Sequence, residues 1–136
     1  MLARFAAFSL VLTACAEPLD EMSLDFTAEP LDDPEVREWS VAKAEGGFHR
    51  ITVRRTLPEP DTCQSVKGDL ATSGGDIMLR VTSQSTRECP PSAALYGYTA
   101  IIEGVPAGRY NLKVIHLRAG ESGRGEVVMR QPIHVR

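Results

Sequence analysis

Three cysteines and three histidines are the residues of this 136-residue chain that could most readily do chemistry. Thiols form disulfides, carry acyl groups or bind metals, and imidazoles bind metals or move protons. Cys63 and Cys89 are 26 residues apart, which is unlike the Cys-x-x-Cys spacing of redox pairs. His49, His116 and His134 are not at ligand spacing from one another, although two of them could still meet across a sheet. A histidine metal site therefore stays open as an alternative.

The motifs of common enzyme active sites are absent from the sequence. There is no Gly-x-Ser-x-Gly elbow, P-loop, dinucleotide-binding glycine motif or His-Glu-x-x-His helix. Ser122 lies in a glycine-rich loop without a motif around it, and the carboxylates are scattered near turns. We therefore expect a protein that is not an enzyme and needs no cofactor. The net charge of −3 excludes a generally basic nucleic-acid binder.

The first fifteen residues have the parts of a secretory signal peptide. Arg4 carries the only charge, residues 5–12 are apolar apart from one serine, and two small residues precede Cys15. The apolar run is far shorter than the roughly 18 residues that a membrane-spanning helix needs. The chain is therefore predicted to be exported.

Residues 12–15, Leu-Thr-Ala-Cys, resemble the lipobox of bacterial lipoproteins. The resemblance implies that the signal peptide, residues 1–14, is cleaved and that Cys15 is acylated on its sulfur and on its new amine. Two or three acyl chains anchor a protein durably, whereas one binds a bilayer only marginally. Ala16 in place of Asp favours, by the same resemblance, the outer membrane. The expected location is the bacterial cell envelope, with a lipid bilayer as partner and the protein facing the periplasm or the cell surface.

The lipid site changes how the other two cysteines are interpreted. With Cys15 acylated, an even pair remains in an exported protein, and such pairs usually form disulfides. We therefore predict a disulfide between Cys63 and Cys89. A loop of this length contributes on the order of 3.5 kcal/mol to stability in the chain-entropy model.

An acidic tether is predicted over residues 15–38. It contains nine Asp and Glu against one Arg, and three prolines stiffen it. Met22, Leu24 and Phe26 alternate with polar residues, which is the pattern of one edge strand within the tether.

The balance of charge reverses from Trp39 onward, where thirteen Lys and Arg face nine Asp and Glu. This excess is either an uneven but ordinary soluble surface, or a surface that meets something anionic. The second case includes the acidic tether itself, lipid headgroups and cell-wall polymer.

Residues 39–136 are predicted to form one all-β domain. Strand-forming stretches of about seven to nine residues alternate with Gly- and Pro-rich turns, such as the one expected at residues 58–61. Asp76–Ser83 alternates most clearly, with Ile77, Leu79 and Val81 on the inward face. The spacing predicts a single antiparallel β-sandwich of about seven strands.

Residues 98–116, YTAIIEGVPAGRYNLKVIH, resemble the late-strand corner of immunoglobulin-like and fibronectin type III-like bacterial domains. The resemblance implies that Tyr110 is a corner tyrosine, with its ring in the core and its hydroxyl bonded back to the turn. It also implies that Gly108 has a backbone conformation that other residues avoid. Trp39 and the cysteine spacing do not follow the antibody Cys…Trp…Cys order, so an antibody-type domain is not expected.

Tyr96 and Tyr98 are the candidate binding residues, because residues two apart share one face of a strand. On an outward face they would form a platform for sugars or peptides, and on an inward face they would belong to the core, which is the favoured prediction. The neighbouring pair Arg54-Arg55 places one charge on each face, and Arg55 is expected where its strand leaves the domain for solvent.

These observations favour a membrane-anchored, non-catalytic Ig-like module. It would bind or position an unknown protein or cell-wall ligand, and no nucleic acid. The alternatives are a periplasmic metal-handling protein that uses the histidines, and an enzyme inhibitor that uses the loops at residues 86–94 or 119–125.

Overall fold

The computed structural model of the chain describes residues 21–32, 39, 42–120 and 125–136. These residues form eight β-strands in two four-stranded sheets, which confirms the predicted all-β sandwich. None of their helical segments is long and apolar enough to cross a membrane. The predicted signal peptide, Cys15, part of the tether and residues 121–124 lie outside the described residues.

The two sheets pack face to face. Sheet I has the strand order β1-β6-β3-β2 and sheet II has the order β4-β5-β7-β8. The strands of sheet I are β1 (Ser23–Pro30), β2 (Lys43–Gly46), β3 (Arg50–Glu59) and β6 (Ala94–Glu103). Those of sheet II are β4 (Gln64–Ser73), β5 (Asp76–Ser85), β7 (Gly108–Arg118) and β8 (Glu126–Val135). Strand β1 lies against β4 at one edge of the sandwich, and β2 lies against β8 at the other.

Alternating side chains build the core, as the period of the sequence predicts. In β5, Ile77, Leu79 and Val81 are fully buried, whereas Met78 and Arg80 between them point outward. Apolar side chains removed from water in this way are the main favourable term in folding.

One pair of neighbouring strands, β5 and β7, is parallel. Strand β6 lies between them in sequence but belongs to sheet I, so β7 returns to sheet II in the same direction as β5. The expectation of a wholly antiparallel sandwich is corrected at this pair, and immunoglobulin sheets are antiparallel throughout. Strand order depends on contacts between distant segments, which the local sequence pattern does not contain.

Strand β1 brings part of the predicted tether into the sandwich. It pairs with β6 along its whole length, from Ser23 opposite Glu103 to Pro30 opposite Tyr96. The Phe26 ring lies so close to Gly68 that a Cβ atom there would clash with it. The edge strand expected from alternation is therefore present, and the sandwich begins at Ser23 rather than at Trp39.

Strand β3 ends two residues later than the sequence predicts. The turn expected at residues 58–61 begins only after Glu59, because Pro58 and Glu59 continue the pairing with β6. Strand β2 begins at Lys43, opposite Arg54, so among the described residues β3 pairs from Arg55 onward with β6 alone. Proline is tolerated on such an edge because it removes no hydrogen bond from a second neighbour.

The β2–β8 corner joins the two sheets through backbone hydrogen bonds. The His49 amide donates to the Arg136 carbonyl at 2.9 Å, and the Arg136 amide donates to the Gly47 carbonyl at 2.9 Å. Gln131 Nε2 also donates to the Ala44 carbonyl at 3.0 Å. These contacts cover part of β8, an edge strand that would otherwise expose unpaired backbone groups.

Candidate functional site

The predicted site residues lie at different places in the sandwich. We call the end that carries Cys63, Cys89 and residues 86–93 the disulfide end. The opposite end, with the turns at residues 47–49 and 104–107, is called the turn end.

At the disulfide end, Cys63 and Cys89 lie within disulfide-bonding distance, with Cα atoms 6.3 Å apart. The Thr86 amide and hydroxyl both donate to the Cys63 carbonyl at 2.9 Å, and Asp61 Oδ1 accepts from the Cys63 amide at 2.8 Å. These contacts fix the loop against the start of β4, and the pair fits the predicted disulfide.

Metal-binding atoms converge at one place among the described residues, where Asp61 meets Cys63 and Cys89. The disulfide already uses both sulfur atoms. The histidines stand apart from this group: His49 is in the turn-end hairpin, His116 lies between the sheets, and His134 is exposed on β8. Within the described part of the chain, they do not form the cluster that the metal-handling alternative requires.

The interior of the sandwich contains a hydrogen bond from one sheet to the other. The hydroxyl of Tyr98, on β6, lies 2.9 Å from Nε2 of His116, on β7. The two rings meet edge to face with centroids 5.6 Å apart, and Phe26 stacks on Tyr98 at 5.4 Å. Tyr98 is completely buried, so this pair has no contact with solvent through the tyrosine.

Burial determines the charge states of this pair. Burial, and to a smaller extent repulsion between the imidazolium and the nearby Arg55 guanidinium, lowers the pKa of His116 to about 4. Burial also raises the pKa of Tyr98, which Arg55 partly opposes. Near neutral pH both groups are therefore uncharged, and the hydroxyl of Tyr98 and Nε2 of His116 share one hydrogen bond. Such a pair links the two sheets through the interior of the sandwich.

Arg55 lies inside the sandwich rather than at a strand exit, so the sequence prediction for this residue is wrong. It is directly opposite Tyr98 in the pairing of β3 with β6 and is half-buried. The period of β3 places Arg55 on the same face as Val53 and Leu57, and that face is the core.

Glu59 is a buried carboxylate that the sequence analysis missed. Its side chain is 0% exposed, and both of its oxygens are without a hydrogen-bond partner among the described residues. Arg118 Nη2 is 3.6 Å from Oε2 and stays 44% exposed. The run Pro-Glu-Pro-Asp is typical of an exposed turn, so the sequence does not indicate that Glu59 is part of β3. In the structure, Glu59 continues the alternation of inward-facing residues along this strand.

Tyr96 and Tyr98 do not form an exposed platform, because they are 3% and 0% exposed on the inward face of β6. The Tyr96 hydroxyl accepts a hydrogen bond from the Gln64 amide at 3.2 Å, close to the disulfide. Both residues belong to the core, as the favoured prediction has it.

The corner between β6 and β7 is closed by Tyr110. Its hydroxyl donates to the Pro106 carbonyl at 2.6 Å, back across the turn. Gly108 has a φ of 157°, a conformation that residues with a Cβ atom rarely adopt. These two residues shape the turn end and bring no reactive group to the surface.

The outer face of sheet II carries a shallow cavity of about 480 Å³. Lys113 and Arg130 bring positive charge to the cavity and Asp76 brings one carboxylate, and Met78 and Pro132 are among its apolar lining. Two cations and one carboxylate leave this concave surface with a net positive charge, which favours an anionic group over a neutral one.

Comparison of the chain with protein-family models, with curated proteins and with solved structures found no match. The function is therefore argued from the chain's own residues.

Proposed function

We propose that this chain is a lipid-anchored protein of the bacterial envelope whose β-sandwich binds or positions a partner without catalysis. The absence of catalysis is supported by the titratable side chains of the interior, which contact one another within the fold. Tyr98 and His116 are hydrogen-bonded to each other between the sheets, and the buried Glu59 side chain has Arg118 Nη2 at 3.6 Å. The Leu-Thr-Ala-Cys sequence at residues 12–15 supports the lipid anchor.

The short distance between the lipid site and the sandwich also supports this role. Cys15 precedes the start of β1 at Ser23 by eight residues, which span about 25–30 Å at most. A domain on so short a connection stays beside the bilayer, where it would act on partners at the membrane surface.

The anchor is tested by expressing the full chain in bacteria with labelled palmitate. We expect the label on the native chain and none on Cys15→Ser, which should also move from the membrane to the soluble fraction. Cys89→Ser is the matched control, because it removes a different thiol and should keep the label. Labelled Cys15→Ser would overturn the anchor.

A further inference from the structure

Basic side chains face each other across the β7–β8 pair on the outer face of sheet II. Lys113 is directly opposite Arg130, and Arg109 is opposite His134. Residues 109–113 and 130–134 contain no acidic residue. Like charges directly opposite each other destabilise a strand pair, so this arrangement carries a cost that a bound anion would relieve.

Two other exposed arginines of the sandwich do have acidic partners. Arg50 pairs with Glu103 at 2.6 Å and Arg80 pairs with Asp69 at 2.7 Å. In the described part of the chain, no ion pair involves Lys113, Arg130 or Arg109. Asp76 on the adjacent β5 accepts a hydrogen bond from Asn111 at 3.3 Å instead. Within the described residues, the basic strip therefore contains no ion pair of its own.

An exposed aromatic ring lies at the end of this strip. Phe48 is 79% exposed in the β2–β3 turn, next to the Arg136 backbone that bonds both of its neighbours. His49 after it has a φ of 51°, and His49 Nδ1 donates to the Val105 carbonyl at 2.9 Å. A single exposed apolar residue is ordinary. Here, however, the backbone on both sides is fixed, so the ring is held out into solvent.

The connection to the lipid site enters the sandwich at the same end. Glu21 lies against Gly104 in the turn-end loop, where a Cβ atom would be 2.9 Å from the Glu21 carbonyl oxygen. Six residues lead from Cys15 to Glu21, and they span about 20 Å at most. If Cys15 is acylated, the turn end is held near the bilayer, and a weak contact there is strengthened by its high effective concentration.

We propose that the outer face of β7 and β8, together with Phe48, docks on the anionic headgroups of the bilayer that holds the lipid anchor. Basic residues attract such a surface, and an aromatic ring at the edge inserts at the level of the headgroups. The acidic residues Asp25 and Glu29 lie on β1, at the opposite edge of the sandwich, and so point away from the membrane in this orientation.

The docking step rests on the proposed anchor for proximity, but it can be measured without the lipid. The full chain carrying Cys15→Ser is mixed with phosphatidylglycerol–phosphatidylcholine vesicles or with pure phosphatidylcholine vesicles, and co-sedimentation is quantified. We expect binding to the anionic vesicles at low ionic strength, little binding to neutral ones, and release as salt screens the charges. Absence of binding to anionic vesicles at low salt overturns the proposal.

Matched charge reversals locate the surface. In this background, Arg130→Glu should weaken binding about tenfold or more, since each basic residue near the surface contributes appreciably. Lys67→Glu is the control: Lys67 is exposed on the same sheet, but on β4 at the far edge. It should change binding less than about twofold. An equal loss of vesicle binding in both variants would mean that the positive charge of the whole domain attracts the vesicles, and it would overturn the assignment of the docking surface to β7 and β8.

Phe48→Ser tests the aromatic part without changing charge. The variant should reduce the vesicle binding that remains at moderate salt, because salt screens the charges and leaves the contribution from insertion of the aromatic ring. Unchanged binding would remove Phe48 from the surface. The two proposals fail separately. If the native chain takes up palmitate but the Cys15→Ser chain does not bind anionic vesicles, only the docking proposal is overturned. If the native chain takes up no palmitate, the anchor is overturned, and the vesicle result still tests the docking surface.

Discussion

The two ends of the sandwich interior differ in chemistry although the same strands build both. Toward the turn end, the inward positions are apolar and fully buried, as at Ile51, Ile102 and Val105. Toward the disulfide end, β3 presents Arg55 and Glu59 on that same inward face. The alternation of side chains along a strand therefore determines which face is buried. It does not determine whether the residues on that face are apolar or charged.

This difference explains where the cross-link lies. The disulfide end encloses a carboxylate without a hydrogen-bond partner, and such a group costs about 1–3 kcal/mol. Cys63–Cys89 ties the loop to β4 at this same end. The comparison predicts that hydrophobic burial stabilises one end and the covalent bond stabilises the other.

The largest effect is expected from the apolar part of the core. Leu79→Ala should lower the free energy of unfolding by about 4 kcal/mol, because it leaves a cavity in a fully buried site. Urea denaturation measures this. Met78→Ala, one residue away and outward-facing, should cost less than about 1 kcal/mol. Equal losses would show that the alternation of β5 does not determine stability.

Removal of the cross-link should have the next largest effect. The double variant Cys63→Ser/Cys89→Ser should lose about 3.5 kcal/mol of stability by the loop-entropy argument. Hydrogen exchange should rise mainly in residues 86–93 and at the start of β4, while the turn end stays protected. Cys15→Ser is the control and should leave stability unchanged. A uniform rise in exchange would contradict the division between the ends.

Acid should weaken the sandwich through His116. Its folded-state pKa of about 4 is below the unfolded value of 6.5, so the unfolded chain binds more protons between these values. The contribution of neutral His116 to the free energy of unfolding is therefore fully present above about pH 6.5. It falls by about 2 kcal/mol toward pH 4, a value that allows for partial solvation of the ring.

The unfolding free energy of the native chain and of His116→Gln, measured across this pH range, checks the prediction. The variant should lose this part of the pH dependence. An unchanged slope would assign the acid sensitivity to other groups.

The smallest effect is expected at Glu59, and it has the opposite sign. Glu59→Leu removes a carboxylate that lacks hydrogen-bond partners and has an arginine 3.6 Å away. The variant should be more stable by about 1 kcal/mol, since apolar replacements of poorly compensated buried charges often stabilise. Thermal unfolding at neutral pH measures the change. Destabilisation would show that the Arg118 contact outweighs the cost of burial.

Local patterns in the sequence were sufficient for much of the fold. Ile77, Leu79 and Val81 lie inward as their spacing predicts, and Pro132 lies on an edge strand as its missing amide hydrogen requires. These features depend on neighbouring residues in one strand. For the same reason, the alternation of Leu24 and Phe26 was enough to indicate β1.

Features that depend on distant segments could not be predicted in this way. The parallel pairing of β5 with β7 requires knowledge of which sheet β6 joins. The Tyr98–His116 bond requires knowledge of which strands lie face to face. Glu59 was missed because two prolines beside it indicate a turn, and only the short length of β2 allows a strand there.

The pairing of β1 with β6 has a consequence for the order of folding. Ser23 pairs with Glu103, which is synthesised eighty residues later. The β4–β5 hairpin, in contrast, can form as soon as Ser85 has been synthesised. Pairings over such distances form slowly because a long loop must close first. Sheet II can therefore begin as a local hairpin, whereas β1 stays an unpaired edge until most of the chain has emerged.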